Sequence, residues 1–110
     1  MEIKKLTEDF AVCGQITADQ VRDIAAAGFR TLICNRPDDE QVGQPPHAPV
    51  AEAAAAHGLH WVYLPVTSGQ ITERDAENLA AALKDAPTPV LAYCRSGARS
   101  TMLWRLADAL

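Results

Sequence analysis

The sequence lacks the features that mark membrane, secreted and nucleic-acid-binding proteins. No stretch approaches membrane-spanning length, and residues 1–6 lead into a polar segment rather than an apolar leader. The three cysteines, Cys13, Cys34 and Cys94, are an odd number without disulfide spacing. A net charge of -4 gives no reason to expect a nucleic acid or an acidic membrane surface as partner. We therefore expect a cytoplasmic protein with free thiols.

Ligand patterns for metal ions are absent as well. The three histidines, His47, His57 and His60, have no ligand spacing among themselves or with the cysteines. We therefore expect neither a metal site nor a cofactor.

Short apolar runs alternate with helical segments along the 110 residues. Continuous apolar or β-branched runs predict strands at 10–13, 29–34, 59–64 and 90–93. The helices between them begin at recognisable signals, which are the Thr17–Gln20 capping box, Pro49 in a first turn and Thr72 as a cap. The last helix is expected to bury an apolar stripe that comprises Met102, Leu103, Leu106, Ala107 and Leu110.

This βαβαβαβα pattern predicts one α/β domain over residues 1–110. Strands that alternate with helices form a parallel sheet covered on both faces, which gives three layers, α/β/α. In such sheets, ligands bind beyond the carboxyl ends of the strands. Cys94, Cys34 with the loop after it, and residues 66–70 all follow predicted strands. We therefore expect them to share one site.

The segment Cys94–Ser100 carries the clearest chemical signal. Cys94 follows a buried strand, and a short loop with Gly97 leads into the last helix. This layout places a thiol over a helix N-terminus, where loop amides and the helix dipole converge. With Arg95 and Arg99 beside it, the cysteine should ionise near or below neutral pH and act as a nucleophile toward an anion. The alternative is a buried cysteine with two solvated arginines.

The other residues of this loop are candidates for substrate binding. Arg99 is expected to bind the anion with its planar guanidinium, whereas Arg95 either contacts the substrate or only attracts it from solvent. Ser96, Gly97 and Ala98 supply the loop amides. Two roles are open for Ser100, which either donates to the Cys94 thiolate or makes a first-turn bond to the backbone.

Residues outside the loop have weaker signals. Arg36, Asp38 and Glu40 either line the rim of the site or form a salt-bridged turn, and Arg36 is the substrate-binding candidate among them. Cys13 is expected in the core. Cys34 is expected to be a small core residue, with a relay thiol as the alternative.

Nearly the whole chain resembles the phosphatase-like domain of the beta-lactamase hydrolase-like protein family. The matching segments are 12–16, 28–31, 35–40, 64–66 and 91–100. The resemblance implies a fold like that of the dual-specificity tyrosine phosphatases, with four parallel strands in the order 1-4-2-3. Some members of the family are described as phosphatases and others as sulfurtransferases.

Two departures from the phosphatase pattern favour sulfur transfer. Tyrosine phosphatases have Cys-x5-Arg, usually with His before the cysteine. Here Cys94 and Arg99 form Cys-x4-Arg, the rhodanese length, and Tyr93 precedes the cysteine. The loop at 66–70, where such phosphatases typically carry an aspartic general acid, has no carboxylate. Asp75 lies farther on, where a helix-capping role is expected. Sulfur transfer between thiols needs no such acid.

We therefore expect a sulfurtransferase in which Cys94 forms a persulfide. The donor is a small sulfur anion, either thiosulfate or a low-molecular-weight persulfide such as glutathione persulfide, and the acceptor is a thiol. One alternative is a phosphatase that forms a phosphocysteine with Arg99 as clamp. Another is a non-catalytic anion-binding module that partners a larger oxidoreductase or hydrolase, as in a sulfide-oxidising system.

Overall fold

A computed structural model describes residues 1–110 and contains one five-stranded sheet. Its strands are β1 (Lys4–Lys5), β2 (Phe10–Cys13), β3 (Thr31–Cys34), β4 (His60–Tyr63) and β5 (Val90–Tyr93). They lie in the order β1-β2-β5-β3-β4, with β1 antiparallel to β2 and all other pairs parallel. The four predicted strands therefore have the expected order 1-4-2-3.

The expected number of strands was one too few, because β1 adds an antiparallel edge. Its two lysines are exposed and pair with Val12 and Ala11 of β2. A two-residue lysine strand has no apolar run or alternation from which it could be predicted. Lysines on a short edge strand also discourage pairing with other chains.

Four helices cover the two faces of the sheet. They are α1 (Val21–Ala26), preceded by a 3-10 turn at Ala18–Gln20, α2 (His47–Ala56), α3 (Glu73–Asp85) and α4 (Ala98–Asp108). The apolar side chains of α1 and α2 pack on one face, and those of α3 and α4 on the other. None of these helices has the length and apolar character needed to cross a membrane.

Neighbouring residues along each strand point into different clusters. Leu91 and Tyr93 join the cluster under α1 and α2, whereas Val90 and Ala92 join the cluster under α3 and α4. All four residues of β5 are buried because it lies at the centre of the sheet. The strand that carries Cys94 at its carboxyl end is therefore enclosed by strands on both sides and by helices on both faces.

The expected apolar stripe of α4 is only partly correct. Leu103 and Ala107 are buried, but Met102, Leu106 and Leu110 are 48%, 41% and 64% exposed. Helix α4 packs against the sheet and α3 along a stripe formed by residues 100, 103, 104 and 107. No element covers its neighbouring stripe, so apolar spacing alone predicted more burial than the fold supplies.

Candidate active site

The loop from Cys94 to Gly97 joins β5 to α4 and curls around the cysteine sulfur. Cys94 is buried, and its Sγ accepts a hydrogen bond from the Gly97 amide at 3.1 Å. Gly97 has a φ of 93° and is the N-cap of α4. This left-handed conformation disfavours a side chain at position 97.

The turn after β2 holds this loop from behind. The Gln15 amide donates to the Arg95 carbonyl at 3.1 Å, and the Cys94 amide faces the Cys13 carbonyl at 3.4 Å. A Cβ at Gly14 would lie 3.0 Å from the Arg95 carbonyl oxygen. The two backbones therefore approach closely, and a side chain at position 14 would require the Arg95 carbonyl to shift by a few tenths of an ångström.

The three thiols have different environments. Burial raises the pKa of Cys94, but hydrogen bonds from the Ser100 amide and hydroxyl and from the loop amides outweigh it and bring the pKa below its usual value. Burial, together with the charge of Cys94, raises the pKa of Cys13 to about 12. Burial also raises the pKa of Cys34, whose Sγ donates to the Arg36 carbonyl at 3.3 Å. Cys94 is therefore the thiol of the three that ionises most readily, as expected of a nucleophilic cysteine.

The Arg99 guanidinium is held from two sides. Its Nη1 and Nη2 donate to the two carboxylate oxygens of Glu40 at 2.9 and 3.2 Å, and Nη1 also donates to the Val66 carbonyl at 2.9 Å. The side chain is only 8% exposed, and its buried Nε has no partner. Arg99 therefore keeps one unpaired donor, Nε, on a guanidinium group that Glu40 and the Val66 carbonyl hold in place.

Arg36 is bound entirely by protein groups. Its Nε donates to Glu40 at 3.0 Å, Nη1 to Gln15 at 3.0 Å and Nη2 to Gln41 at 3.2 Å. Arg36 is 4% exposed. It lines the cleft but is positioned chiefly to hold Glu40, which in turn holds Arg99.

The sequence predicts Glu40 as a rim or turn residue, whereas the structure places it between two arginines. Burial raises the pKa of its carboxyl group, but the hydrogen bonds from Arg99 and Arg36 outweigh this and hold the pKa below its usual value. The spacing of four between Arg36 and Glu40 was the available signal for their pairing. The link from Glu40 to Arg99, 59 residues away, has no local signal.

A cleft of about 510 Å³ opens over this group. Its nine lining residues are Arg36, Glu40, Gln41, Ser68, Cys94, Arg95, Ser96, Ala98 and Arg99. Six of the eight predicted site residues are therefore in the cleft, while Gly97 contacts the sulfur from within the loop and Ser100 lies buried in the first turn of α4. Arg95 and Ser96 are exposed, and Arg95 forms no ion pair. Three guanidinium groups against one carboxylate favour an anionic ligand.

A second cleft of about 710 Å³ also borders the loop and shares Ser96 and Ala98 with the first. Its lining includes Cys13, Gly14, Gly97 and Met102 but not Cys94. Although this second cleft is larger, Cys94 lines only the first, which is therefore the candidate active site.

Two further carboxylates named from the sequence lie outside the cleft. Asp75 closes a capping box with Thr72. Its carboxylate accepts from the Thr72 amide at 2.9 Å, and the Asp75 amide donates to the Thr72 hydroxyl oxygen at 3.1 Å. Asp38 caps α2, since its carboxylate accepts from the His47 amide at 2.9 Å and contacts the His47 Nδ1 at 2.7 Å. Burial raises the pKa of Asp38, but these bonds to His47 outweigh it and lower the pKa. Both carboxylates are thus occupied at helix N-termini.

Known proteins resemble this chain over nearly its whole length. A family model described as "Beta-lactamase hydrolase-like protein, phosphatase-like domain" matches residues 2–110. The "Beta-lactamase hydrolase-like protein" of Agrobacterium fabrum strain C58 is 33% identical over 110 residues, which are 100% of this chain and 26% of that protein. The chain thus spans about a quarter of that relative's length.

Solved structures of two other proteins have a similar fold. A candidate phosphatase from Neisseria meningitidis has a TM-score of 0.87 at 38% identity, and the match covers 94% of this chain and 74% of that one. The core catalytic domain of a PP-IP phosphatase from S. cerevisiae has a TM-score of 0.71 at 12% identity, over 92% of this chain and 60% of that one. The second match concerns the fold alone, and it confirms the expected tyrosine-phosphatase-like α/β architecture. With a model match across residues 2–110, this chain belongs to the phosphatase-like domain family of the beta-lactamase hydrolase-like proteins.

Proposed function

We propose that this domain is a cysteine-dependent sulfurtransferase that carries sulfane sulfur on Cys94. One observation carries the proposal, which is the state of the only carboxylate in the cleft. Glu40 lines the cleft, but its ion pairs with Arg99 and Arg36 lower its pKa and keep it ionised. An ionised carboxylate that is bound to two arginines is a poor general acid.

Phosphate hydrolysis and sulfur transfer differ in whether they need a general acid. Hydrolysis of an alkyl or aryl phosphate expels an alkoxide or phenoxide, which phosphatases of this fold protonate from a general acid. Sulfur transfer expels sulfite or a thiolate, which leave as stable anions. A cleft with bound guanidinium groups and no proton donor suits the second reaction.

The sulfur-transfer reaction balances without an oxidant or a proton donor. The Cys94 thiolate attacks the outer sulfur of thiosulfate, the S–S bond breaks, and sulfite leaves with the electron pair. The product is a Cys94 persulfide. An acceptor thiolate then attacks the terminal sulfur, the new S–S bond breaks, and Cys94 returns to a thiolate.

The cleft residues have distinct roles in this scheme. The Gly97 amide, 3.1 Å from Sγ, stabilises sulfur as an anion before attack and as a leaving group afterwards. Arg99 Nε and the unpaired, exposed Arg95 bind the sulfonate oxygens of the donor.

A phosphatase is the second candidate, and the comparisons favour it. The family model is phosphatase-like, and the Neisseria meningitidis protein is a candidate phosphatase at 38% identity. In that reaction the Cys94 thiolate attacks phosphorus, the P–O bond breaks, and the alkoxide or phenoxide leaves with the electron pair and takes a proton from solvent. Water then attacks the phosphocysteine, the P–S bond breaks, and phosphate and the Cys94 thiolate are released. Arg99 would bind the phosphoryl oxygens.

Intact-protein mass spectrometry tests the choice between them. After incubation with thiosulfate, we expect one added sulfur atom that excess thiol removes. The adduct should be absent in Cys94→Ser and retained in the matched variant Cys34→Ser, because Cys34 is a buried neutral thiol. Efficient turnover of a phosphotyrosine peptide with no sulfur adduct would overturn the proposal. Asp75→Asn should leave sulfur transfer unchanged, since this side chain only caps α3.

A further inference from the structure

Asn35 is a buried polar residue whose hydrogen bonds join three parts of the site. It is 1% exposed and directly follows β3. Its amide N–H donates to the Tyr93 carbonyl at 2.8 Å, and its carbonyl accepts from the Val66 amide at 2.9 Å. Its side-chain Nδ2 donates to the Leu64 carbonyl at 3.0 Å, and its Oδ1 accepts from the Ser100 hydroxyl at 2.9 Å. Asn35 therefore links the strand before Cys94 to the first turn of α4.

The chemistry of these partners fixes the orientation of the Asn35 amide. A backbone carbonyl only accepts, so the Leu64 oxygen must face Nδ2. The other end of the amide, Oδ1, then faces Ser100 and also only accepts. The bond between them must consequently use the single proton of the Ser100 hydroxyl.

Ser100 lies in the first turn of α4, three residues after Gly97, whose amide donates to Cys94 Sγ at 3.1 Å. Burial raises the pKa of Cys94, and donors on Ser100, including this hydroxyl, lower it. A hydroxyl carries one proton, and Ser100 is fully buried. Asn35 Oδ1 and Cys94 Sγ therefore compete for one donor. Neither role expected for Ser100 from the sequence included this second acceptor.

We propose that Asn35 is a positioning residue of the Cys94 site: it accepts the Ser100 hydroxyl bond while sulfur is neutral and yields it to Sγ when sulfur becomes an anion. The proposal rests on the proposed function in one respect, because Cys94 must be the reacting thiol. The proton remains on Ser100 Oγ throughout, and only the direction of its hydrogen bond changes. A donor that is shared in this way assists the departure of the Cys94 thiolate from its persulfide. It also avoids the loss of nucleophilicity that accompanies a very low thiol pKa.

The rate of alkylation of Cys94 tests this competition. Trypsin releases Cys94 in the peptide 85–95, which contains no other cysteine, so its alkylation by iodoacetamide can be followed separately by mass spectrometry. In Asn35→Leu, the Ser100 hydroxyl no longer has Asn35 Oδ1 as an acceptor that competes with Sγ. We expect alkylation at mildly acidic pH to be roughly three- to tenfold faster than in the parent protein. Asn35→Ala gives the same comparison with a side chain that cannot clash.

The decisive measurement is the effect of Asn35→Leu in a protein that also carries Ser100→Ala and so lacks the hydroxyl. Ser100→Ala alone should slow alkylation, and adding Asn35→Leu to it should have no further effect. Thr31→Val is the matched control, because Thr31 is a buried polar residue of β3 that bonds the Pro87 carbonyl at 2.7 Å, at the far end of the strand. It should not change the alkylation rate.

An equal effect of Asn35→Leu with and without the hydroxyl would overturn the proposal, as would no effect in either protein. Alkylation reports on the thiol whichever group Cys94 transfers. Loss of this coupling is thus distinguishable from failure to form a persulfide.

Discussion

The substitution Glu40→Gln tests the arrangement of charges on which the site depends. In the parent protein one carboxylate binds Arg99 through two bonds and Arg36 through one. The glutamine keeps the size of the side chain and one acceptor oxygen but removes the negative charge. Two guanidinium groups, 8% and 4% exposed, would then lie side by side without a counterion.

The structure sets the size of the effect. Removing one partner of a buried ion pair typically costs about 3–5 kcal/mol. The Glu40 side chain is 23% exposed, so water screens part of this interaction. We therefore expect Glu40→Gln to lower the free energy of unfolding by about 2 kcal/mol. For a domain of this length, about 2 kcal/mol corresponds to a decrease in Tm of roughly 8–12 °C. Sulfur transfer should also fall, because Arg99 is no longer held in place for the donor.

The dependence on pH provides a second measurement. The folded protein holds the pKa of Glu40 below its usual value, because the bonds from the two arginines outweigh burial. Its contribution to the free energy of unfolding is therefore complete above the unfolded pKa of about 4.3 and is lost as pH falls through the lower, folded value. The difference in Tm between the parent and Glu40→Gln should be full at neutral pH and should shrink in acid.

Calorimetry with Glu52→Gln as the matched control checks both expectations. Glu52 is exposed on α2 and forms no ion pair, so its substitution should leave Tm nearly unchanged. Sulfate should stabilise Glu40→Gln more than it stabilises the parent, because the unpaired guanidinium groups accept an anion as counterion. Equal Tm values for Glu40→Gln and Glu52→Gln would refute the role assigned to this carboxylate.

Two further predictions concern the nucleophile and the arginines. At mildly acidic pH, Cys94 should be alkylated faster than Cys13 and Cys34, whose pKa values burial raises, and comparable rates by peptide mass spectrometry would argue against the nucleophile. Arg99→Lys should reduce sulfur transfer at least tenfold with little change in circular dichroism, because lysine lacks the planar fork that Glu40 binds. Arg95→Lys should cost less, and the reverse ranking in steady-state assays would assign the clamp to Arg95 instead.

The parts of the fold that follow from local patterns were predictable. Apolar runs and helix signals such as Thr72 identified the four parallel strands and the helices between them, and the resemblance supplied their order. The lysine edge strand β1 and the exposure of Met102 were not predictable. The first has no apolar signal, and the second depends on which stripe of α4 a neighbour covers.

The candidate site also contains residues that local patterns identify and residues that they do not. Cys94 and its loop were identified because their whole signal lies within a few consecutive residues. The partners that tune them come from the loop after β3, where Glu40 and Asn35 reach α4 across 59 and 65 residues of sequence. Such contacts depend on strands β3 and β5 being neighbours, which no local pattern specifies.

The close approach of Gly14 to the cysteine loop limits how this site can be re-engineered. Inserting one residue between Cys94 and Arg99, to reach the phosphatase spacing, would need extra space behind the loop, where a Cβ on Gly14 would already lie 3.0 Å from the Arg95 oxygen. The longer loop would therefore have to bulge into the cleft or displace the turn after β2. A switch of chemistry by loop length thus requires coordinated changes in two segments that lie about 80 residues apart in the sequence.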